Sequence, residues 1–146
     1  MKANLSARSF SVILVLALSL LTGCAGLSHK KEDPATVVRN RATAFLQAMT
    51  DKDWAAAYEF FESTFKDAVS PELFAVFPRD TEYTGFSVLD VTVSETGKTA
   101  SVNVTLDIRM SPQGFTFDGI KKVQNWILQK GEWVLVEPPP SVNAPQ

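Results

Sequence analysis

Residues 101–110, SVNVTLDIRM, alternate polar and apolar side chains without an exception. Successive side chains of a strand point to opposite faces, so this alternation is typical of a β-strand with one buried and one exposed face. Asp107 and Arg109 belong to the polar face, which we expect to meet solvent or a dimer interface. A sheet with one apolar face needs a second layer of structure to cover it.

The sequence on either side of this strand predicts a four-stranded antiparallel meander. Upstream, residues 86–93 are strand-like, but Phe86 and Val88 have one parity and Leu89, Val91 and Val93 the other, which indicates a β-bulge. Residues 95–98 and 111–114 are typical of turns, and they bracket the alternating strand. A long strand over 115–128, a Lys130-Gly131 turn and a last strand over 133–136 follow, and the prolines 138–140 end the ladder.

The covering layer is predicted from the residues before the sheet. Asp33 followed by Pro34 is a typical helix start, and the apolar residues after it recur at helical spacing. A second amphipathic helix is predicted from residue 54 through residue 65, and a short third one from Ser70-Pro71 to Pro78. The apolar positions of the first two helices are Val38, Ala42, Phe45 and Met49, then Trp54, Ala57, Tyr58, Phe61 and Phe65.

Together these elements predict the α+β class, with N-terminal helices packed on a curved antiparallel four-stranded sheet in a cone-like roll. The 146 residues, 45% hydrophobic and 21% charged, are typical of one globular domain. One Cys and one His leave no internal disulfide and no Cys or His cluster for a metal. We therefore expect no cofactor and no metal site.

The N-terminus is typical of a signal peptide. Lys2 and Arg8 precede an apolar run over residues 10–22, which is shorter than the roughly 20 residues of a membrane-spanning helix. Leu21-Thr22-Gly23-Cys24 follows, and it resembles the lipobox of bacterial lipoproteins. The resemblance implies cleavage before Cys24, a diacylglycerol thioether on its sulfur, and often acylation (palmitate) of the new amine. Several acyl chains at about 0.8 kcal/mol per buried CH₂ hold a protein on a membrane.

The lipobox implies an order of segments and a location. Residues 1–23 would be the signal peptide, 24–33 a lipidated tether, 34–137 the folded domain and 138–146 a Pro-rich tail. The location is the bacterial cell envelope, with the domain facing the periplasm or the exterior. The full chain has a net charge of −2 and becomes more acidic when Lys2 and Arg8 are removed, so a nucleic-acid partner is excluded.

The order of elements also resembles a fold family. A Trp-led helix, Asp53-Trp54-Ala55-Ala56-Ala57-Tyr58, precedes strands that end in Lys130-Gly131-Glu132-Trp133-Val134-Leu135. This arrangement is similar to the nuclear transport factor two-like (cystatin-like) superfamily. The resemblance implies a pocket between helices and sheet, which in some members is an active site and in others serves binding or dimerisation. Five aromatic residues are candidates for lining it: Trp54, Tyr58, Phe61, Phe74 and Trp126.

Two hypotheses of function follow. The preferred one is a membrane-anchored, non-enzymatic module that binds a small apolar ligand or an envelope protein, with a homodimer left open. The alternative is a cavity enzyme, an isomerase, cyclase or dehydratase, in which Asp90 is the base and Tyr58 the oxyanion donor. The simpler interpretation of these two residues is that Tyr58 packs in the core and that the bulge exposes Asp90.

Overall fold

The computed structural model describes residues 32–76 and 80–138 of the chain. The predicted signal peptide, Cys24 with most of the tether, and the tail after Pro138 lie outside the described residues. Within those residues, no helix has both the length and the apolar composition that a membrane crossing requires. The helices are α1 (Pro34–Thr50), α2 (Trp54–Tyr58), α3 (Ser63–Ala68) and α4 (Pro71–Phe74), and the strands are β1 (Thr81–Val93), β2 (Thr99–Met110), β3 (Phe115–Gln129) and β4 (Glu132–Val136).

Helix α1 begins where the sequence predicts. The side chain of Asp33 accepts a hydrogen bond from the backbone N–H of Thr36 at 3.3 Å, and Pro34 occupies the first turn. The acceptor satisfies one of the N–H groups that a helix start leaves unpaired. The four predicted apolar positions of this helix are buried, together with one more: Val38, Ala42, Phe45, Leu46 and Met49.

The single second helix predicted from residue 54 through residue 65 is wrong. Helix α2 ends at Tyr58, and the backbone that follows pairs with the edge strand β4 instead. The N–H of Leu135 donates to the carbonyl of Phe60 at 2.7 Å, and the N–H of Glu62 donates to the carbonyl of Leu135 at 3.1 Å. This bridge satisfies backbone groups on the free edge of the sheet. Helical spacing could not reveal the break, because Phe61 in the bridge segment and Phe65 in α3 both enter the core that Tyr58 enters before it.

The third predicted helix is present and short. The hydroxyl of Ser70 accepts a hydrogen bond from the N–H of Leu73 at 3.2 Å, and Pro71 is the first residue of α4. The helix ends at Phe74. Pro78, which we predicted as its end, lies outside the described residues.

The sheet is the predicted antiparallel meander, in the order β1-β2-β3-β4. The predicted bulge is at Leu89, because the register passes from Val88 opposite Val104 to Asp90 opposite Asn103. Arg39 of α1 donates from Nη1 to the carbonyl of Val88 at 3.0 Å. The bulge is therefore also an anchor point between helix and sheet.

The helices cover only one end of the sheet's inner face, which is the face that carries Val102, Val104 and Leu106. Along β3 the inner residues are buried at one end, Trp126 at 0% and Gln124 at 2%, and exposed toward the other, from Lys122 through Ile120 at 38% and Phe117 at 45% to Phe115 at 61%. The core lies under the covered end. The far end of the β2–β3 hairpin extends beyond the helices with apolar side chains on its inner face.

Candidate functional site

A cavity of about 360 Å³ lies between the helical layer and the inner face of the sheet. This volume is near the lower end of the roughly 300–1,000 Å³ that is typical of small-molecule pockets. The lining residues come from α1, from the segment that follows α2, from α3 and α4, from three strands and from the chain after β4. They are Phe45, Leu46, Met49, Phe61, Phe65, Phe74, Thr81, Tyr83, Leu106, Lys122, Gln124, Glu137 and Pro138.

The helical layer contributes only apolar groups to this cavity. Phe61 and Phe65 stack with ring centroids 4.1 Å apart, and Phe74 meets Phe61 edge-on at 5.2 Å. Such aromatic pairs fix the positions of their rings. This layer therefore gives the cavity an apolar wall of mutually packed rings.

The sheet supplies the buried polar group of the site, Gln124. Its side chain is 2% exposed and its Oε1 accepts a hydrogen bond from the indole Nε1 of Trp126 at 3.3 Å. An indole N–H is a donor only, so this bond requires the amide oxygen to point toward Trp126 and leaves the amide NH₂ as a donor. In the described part of the chain the Gln124 nitrogen makes no hydrogen bond and, unlike Nε of Arg41, it is not a fully buried unpaired atom, so it is open to the cavity. A donor that faces the cavity and is not used within the domain is available to a ligand.

Three further polar side chains lie at the rim. The Nζ of Lys122 is 2.8 Å from Oε1 of Glu137, and both side chains are partly exposed. Tyr83 is half-buried, and its hydroxyl has no hydrogen-bond partner in the described part of the chain. Burial raises the pKa of the Tyr83 phenol, an effect that Lys122 opposes and Glu137 reinforces. The phenol therefore stays protonated, and a donor, throughout the neutral pH range.

The structure divides the five aromatic residues that we predicted as lining. Phe61 and Phe74 line the cavity. Trp54 is half-buried and meets Phe74 edge-on with centroids 6.5 Å apart, and it is not among the lining residues. Trp126 is fully buried beneath Gln124, so it positions a lining residue rather than lining the cavity itself.

Tyr58 and Asp90, the catalytic pair of the alternative hypothesis, do not meet at the cavity. The hydroxyl of Tyr58 donates to the backbone carbonyl of Val69 at 2.7 Å, in the core. Asp90 follows the bulge opposite Asn103, on the outer face of the sheet, and is exposed. The bulge inverts the phase of β1, so Asp90 does not share the face of Phe86 and Val88 as its spacing suggested.

Sequence reasoning missed the polar half of the site. Gln124 is the signal that could have revealed it, because it occupies an inner position of β3 between Ile120 and Trp126, where a polar residue is unexpected. Tyr83 lies near the start of β1 and Glu137 follows β4, and no pattern in the sequence distinguishes either residue. The described residues contain no group of three or more His, Cys, Asp or Glu side chains placed to hold a metal ion.

Comparisons with known proteins give fold relationships. No family model matches the sequence, and no curated protein matches it. A SEC-C motif containing protein from Rhodopseudomonas palustris is similar with a TM-score of 0.51 and 18% identity, over 69% of this chain and 73% of that one. A SEC-C motif containing protein from Psychrobacter arcticus has a TM-score of 0.57 and 14% identity, over 77% of this chain and 65% of that one.

A third similar structure is a Streptomyces avermitilis protein described as a dehydratase of the NTF2-like family. Its TM-score is 0.51 at 21% identity, over 70% of this chain and 90% of that one. At these identities the likeness concerns the fold alone. It supports the nuclear transport factor two-like fold that the order of helices and strands predicts.

Proposed function

We propose that this chain is a lipid-anchored protein of the bacterial cell envelope whose α+β domain binds a small, largely apolar molecule without catalysis. The observation that carries the binding proposal is the cavity of about 360 Å³, with an apolar helical wall and the amide donor of Gln124 that faces it. Mostly apolar walls with a few placed polar groups are typical of ligand pockets.

Binding is favoured over catalysis by the state of the carboxylate in the site. Glu137 is the carboxylate among the described lining residues, and it is paired with Lys122 at 2.8 Å. A general base needs a carboxylate that is free to accept a proton from a substrate. The dehydratase description belongs to the Streptomyces protein, and the pair Tyr58 and Asp90 gives no support to such chemistry here.

A cavity-filling substitution tests the binding proposal. Thr81→Trp would place an indole in the cavity, whereas Thr116→Trp adds the same group at an exposed position of β3. The full chain would be purified and its organic extract analysed by mass spectrometry. We expect a compound that is retained by the parent and by Thr116→Trp and lost from Thr81→Trp. Equal extracts from all three chains would contradict the proposal.

The anchor is supported by the residues 21–24, and it is tested separately. Intact mass and membrane fractionation of the full chain would be compared with those of Cys24→Ser. We expect the substitution to abolish the added lipid mass and the cleavage before residue 24. An unchanged mass and unchanged processing would show that the lipobox interpretation is wrong.

A further inference from the structure

Gln124 presents only a hydrogen-bond donor to the cavity. The Gln124 oxygen is occupied by Trp126, which leaves only the amide NH₂ for a ligand. The Tyr83 hydroxyl stays protonated, so it can donate as well as accept, as can the hydroxyl of Thr81, whereas Lys122 only donates. The one carboxylate of the described lining, Glu137, has its Oε1 paired with Lys122.

From this arrangement we propose that the ligand is an apolar compound with a hydrogen-bond-acceptor head, a ketone, ester or carboxylate oxygen, which receives the amide N–H of Gln124. This inference rests on the proposed binding function and specifies the ligand's chemistry. A carbonyl oxygen accepts two hydrogen bonds, whereas an ammonium head, which has no acceptor, would leave the Gln124 donor unpaired.

The surroundings of Gln124 indicate how the rest of the ligand lies. Phe61, Phe65 and Phe74 form the opposite apolar wall, and Leu106 of β2 lies next to Ile120 of β3 on the inner face. Ile120 is 38% exposed, and apolar residues continue beyond it toward the end of the hairpin. The apolar body therefore extends from the buried amide along the inner face of the sheet.

The Lys122–Glu137 pair distinguishes a neutral acceptor from an anionic one. It lies at the rim with both charges engaged, so it offers no unpaired positive charge to a carboxylate. A neutral ketone meets the Gln124 donor without disturbing this pair. A carboxylate gains from Lys122 but is repelled by Glu137, so we expect it to bind no more tightly than the ketone.

The test uses the full chain in lipid nanodiscs and three probes of similar chain length: 2-undecanone, decanoate and decylamine. Equilibrium dialysis against protein-free nanodiscs corrects for partition into lipid. We expect 2-undecanone to bind about fivefold or more tightly than decylamine, the factor that one hydrogen bond of about 1 kcal/mol provides. Decanoate should bind no more tightly than the ketone.

Two substitutions remove donors one at a time, each with a matched control. Gln124→Met should weaken the binding of 2-undecanone about fivefold and leave the binding of decylamine unchanged. Gln129→Met, on the same strand, should change the binding of neither probe. Tyr83→Phe keeps the ring and should weaken the binding of 2-undecanone by about twofold to fivefold. Tyr58→Phe, which lies outside the cavity, should leave that binding unchanged. The Tyr83 pair and the three-probe comparison on the parent chain remain decisive if Gln124→Met does not fold.

The outcomes separate the two proposals. If none of the probes binds above protein-free nanodiscs, the proposed binding function fails. If all three bind the parent chain equally, or if decylamine binds best, the function stands and the acceptor-head inference is overturned. A ketone preference that Gln124→Met and Tyr83→Phe leave intact also overturns it.

Discussion

At the scale of single residues, the site depends on how each polar side chain is already bonded. Gln124 and Tyr58 are both buried polar residues, but only Gln124 retains a donor that meets no described residue. The donor of Tyr58 is used within the core. The sequence identified Tyr58 as a residue on the apolar face of a helix, but its hydrogen-bond partner lies at Val69 and depends on tertiary structure.

Tyr58→Phe should therefore affect stability and not binding. The hydroxyl donates to the carbonyl of Val69 at 2.7 Å, and its loss leaves that buried acceptor unpaired. We expect a decrease of about 1–2 kcal/mol in the free energy of unfolding, measured by urea denaturation. Asp90→Asn, on the exposed outer face, should change it by less than about 0.5 kcal/mol. A stable Tyr58→Phe chain that has lost its ligand would contradict this assignment.

Tyr83 should make stability depend on alkaline pH. Burial raises the pKa of its phenol above the ordinary value of 10.0, with Lys122 opposing and Glu137 reinforcing the shift. The folded state then holds the phenolic proton more tightly than the unfolded state. This contribution is complete below the unfolded pKa and is lost as pH rises through the folded pKa.

Comparison with Tyr83→Phe isolates this contribution from the titration of lysines. The free energy of unfolding of the parent should fall more steeply than that of the variant as pH rises above about 10. Denaturation curves across that range, on both chains, provide the measurement. Parallel pH profiles would show that the phenol is not perturbed.

At the scale of elements, the sequence predicts what depends on local periodicity. The phase change in residues 86–93 correctly predicts the bulge, because burial of one sheet face imposes a strict period of two. It does not reveal the break after Tyr58. That break depends on a bridge to Leu135, which is remote in sequence and is formed through backbone atoms.

This bridge should protect the free edge of the sheet. The N–H groups of Glu62 and Leu135 donate across it at 3.1 and 2.7 Å. We expect both amides to exchange with deuterium much more slowly than exposed turn amides such as that of Gln113, because exchange requires local opening. Residue-resolved hydrogen exchange by NMR provides the measurement. Exchange of Glu62 as fast as that of Gln113 would contradict the bridge.

The carboxylate of Asp107 crowds position 85 in the β1–β2 pair. A Cβ at Gly85 would lie 2.7 Å from Oδ2 of Asp107, and Oδ1 of that carboxylate accepts from the N–H of Gly119 at 2.7 Å. Gly85→Ala should therefore destabilise the chain by about 1–3 kcal/mol, because the carboxylate must move. In a chain that already carries Asp107→Ala, the same substitution should lower the free energy of unfolding much less. Thermal unfolding of the four chains measures this coupling, and additive effects would contradict it.

At the scale of the whole molecule, the α+β class and the strand order follow from the sequence, because each element buries one periodic face. The cavity does not follow from the sequence. Its presence depends on how much of the inner face of the sheet the helices cover. The short helix α2 and the bridge after it set that coverage. Phe61 and Phe74 were predicted to line the cavity, while Gln124 and Tyr83 emerged only when the layers were assembled.

Donation of a hydrogen bond by the Gln124 amide to a bound ligand can be observed directly. Side-chain NH₂ resonances of the full chain in nanodiscs, assigned with Gln124→Met and Gln129→Met, would be followed by ¹⁵N NMR during addition of 2-undecanone. We predict a saturable shift of the Gln124 resonances while those of Gln129 remain in place. Gln124 resonances that do not move while 2-undecanone binds would show that this amide is not the donor.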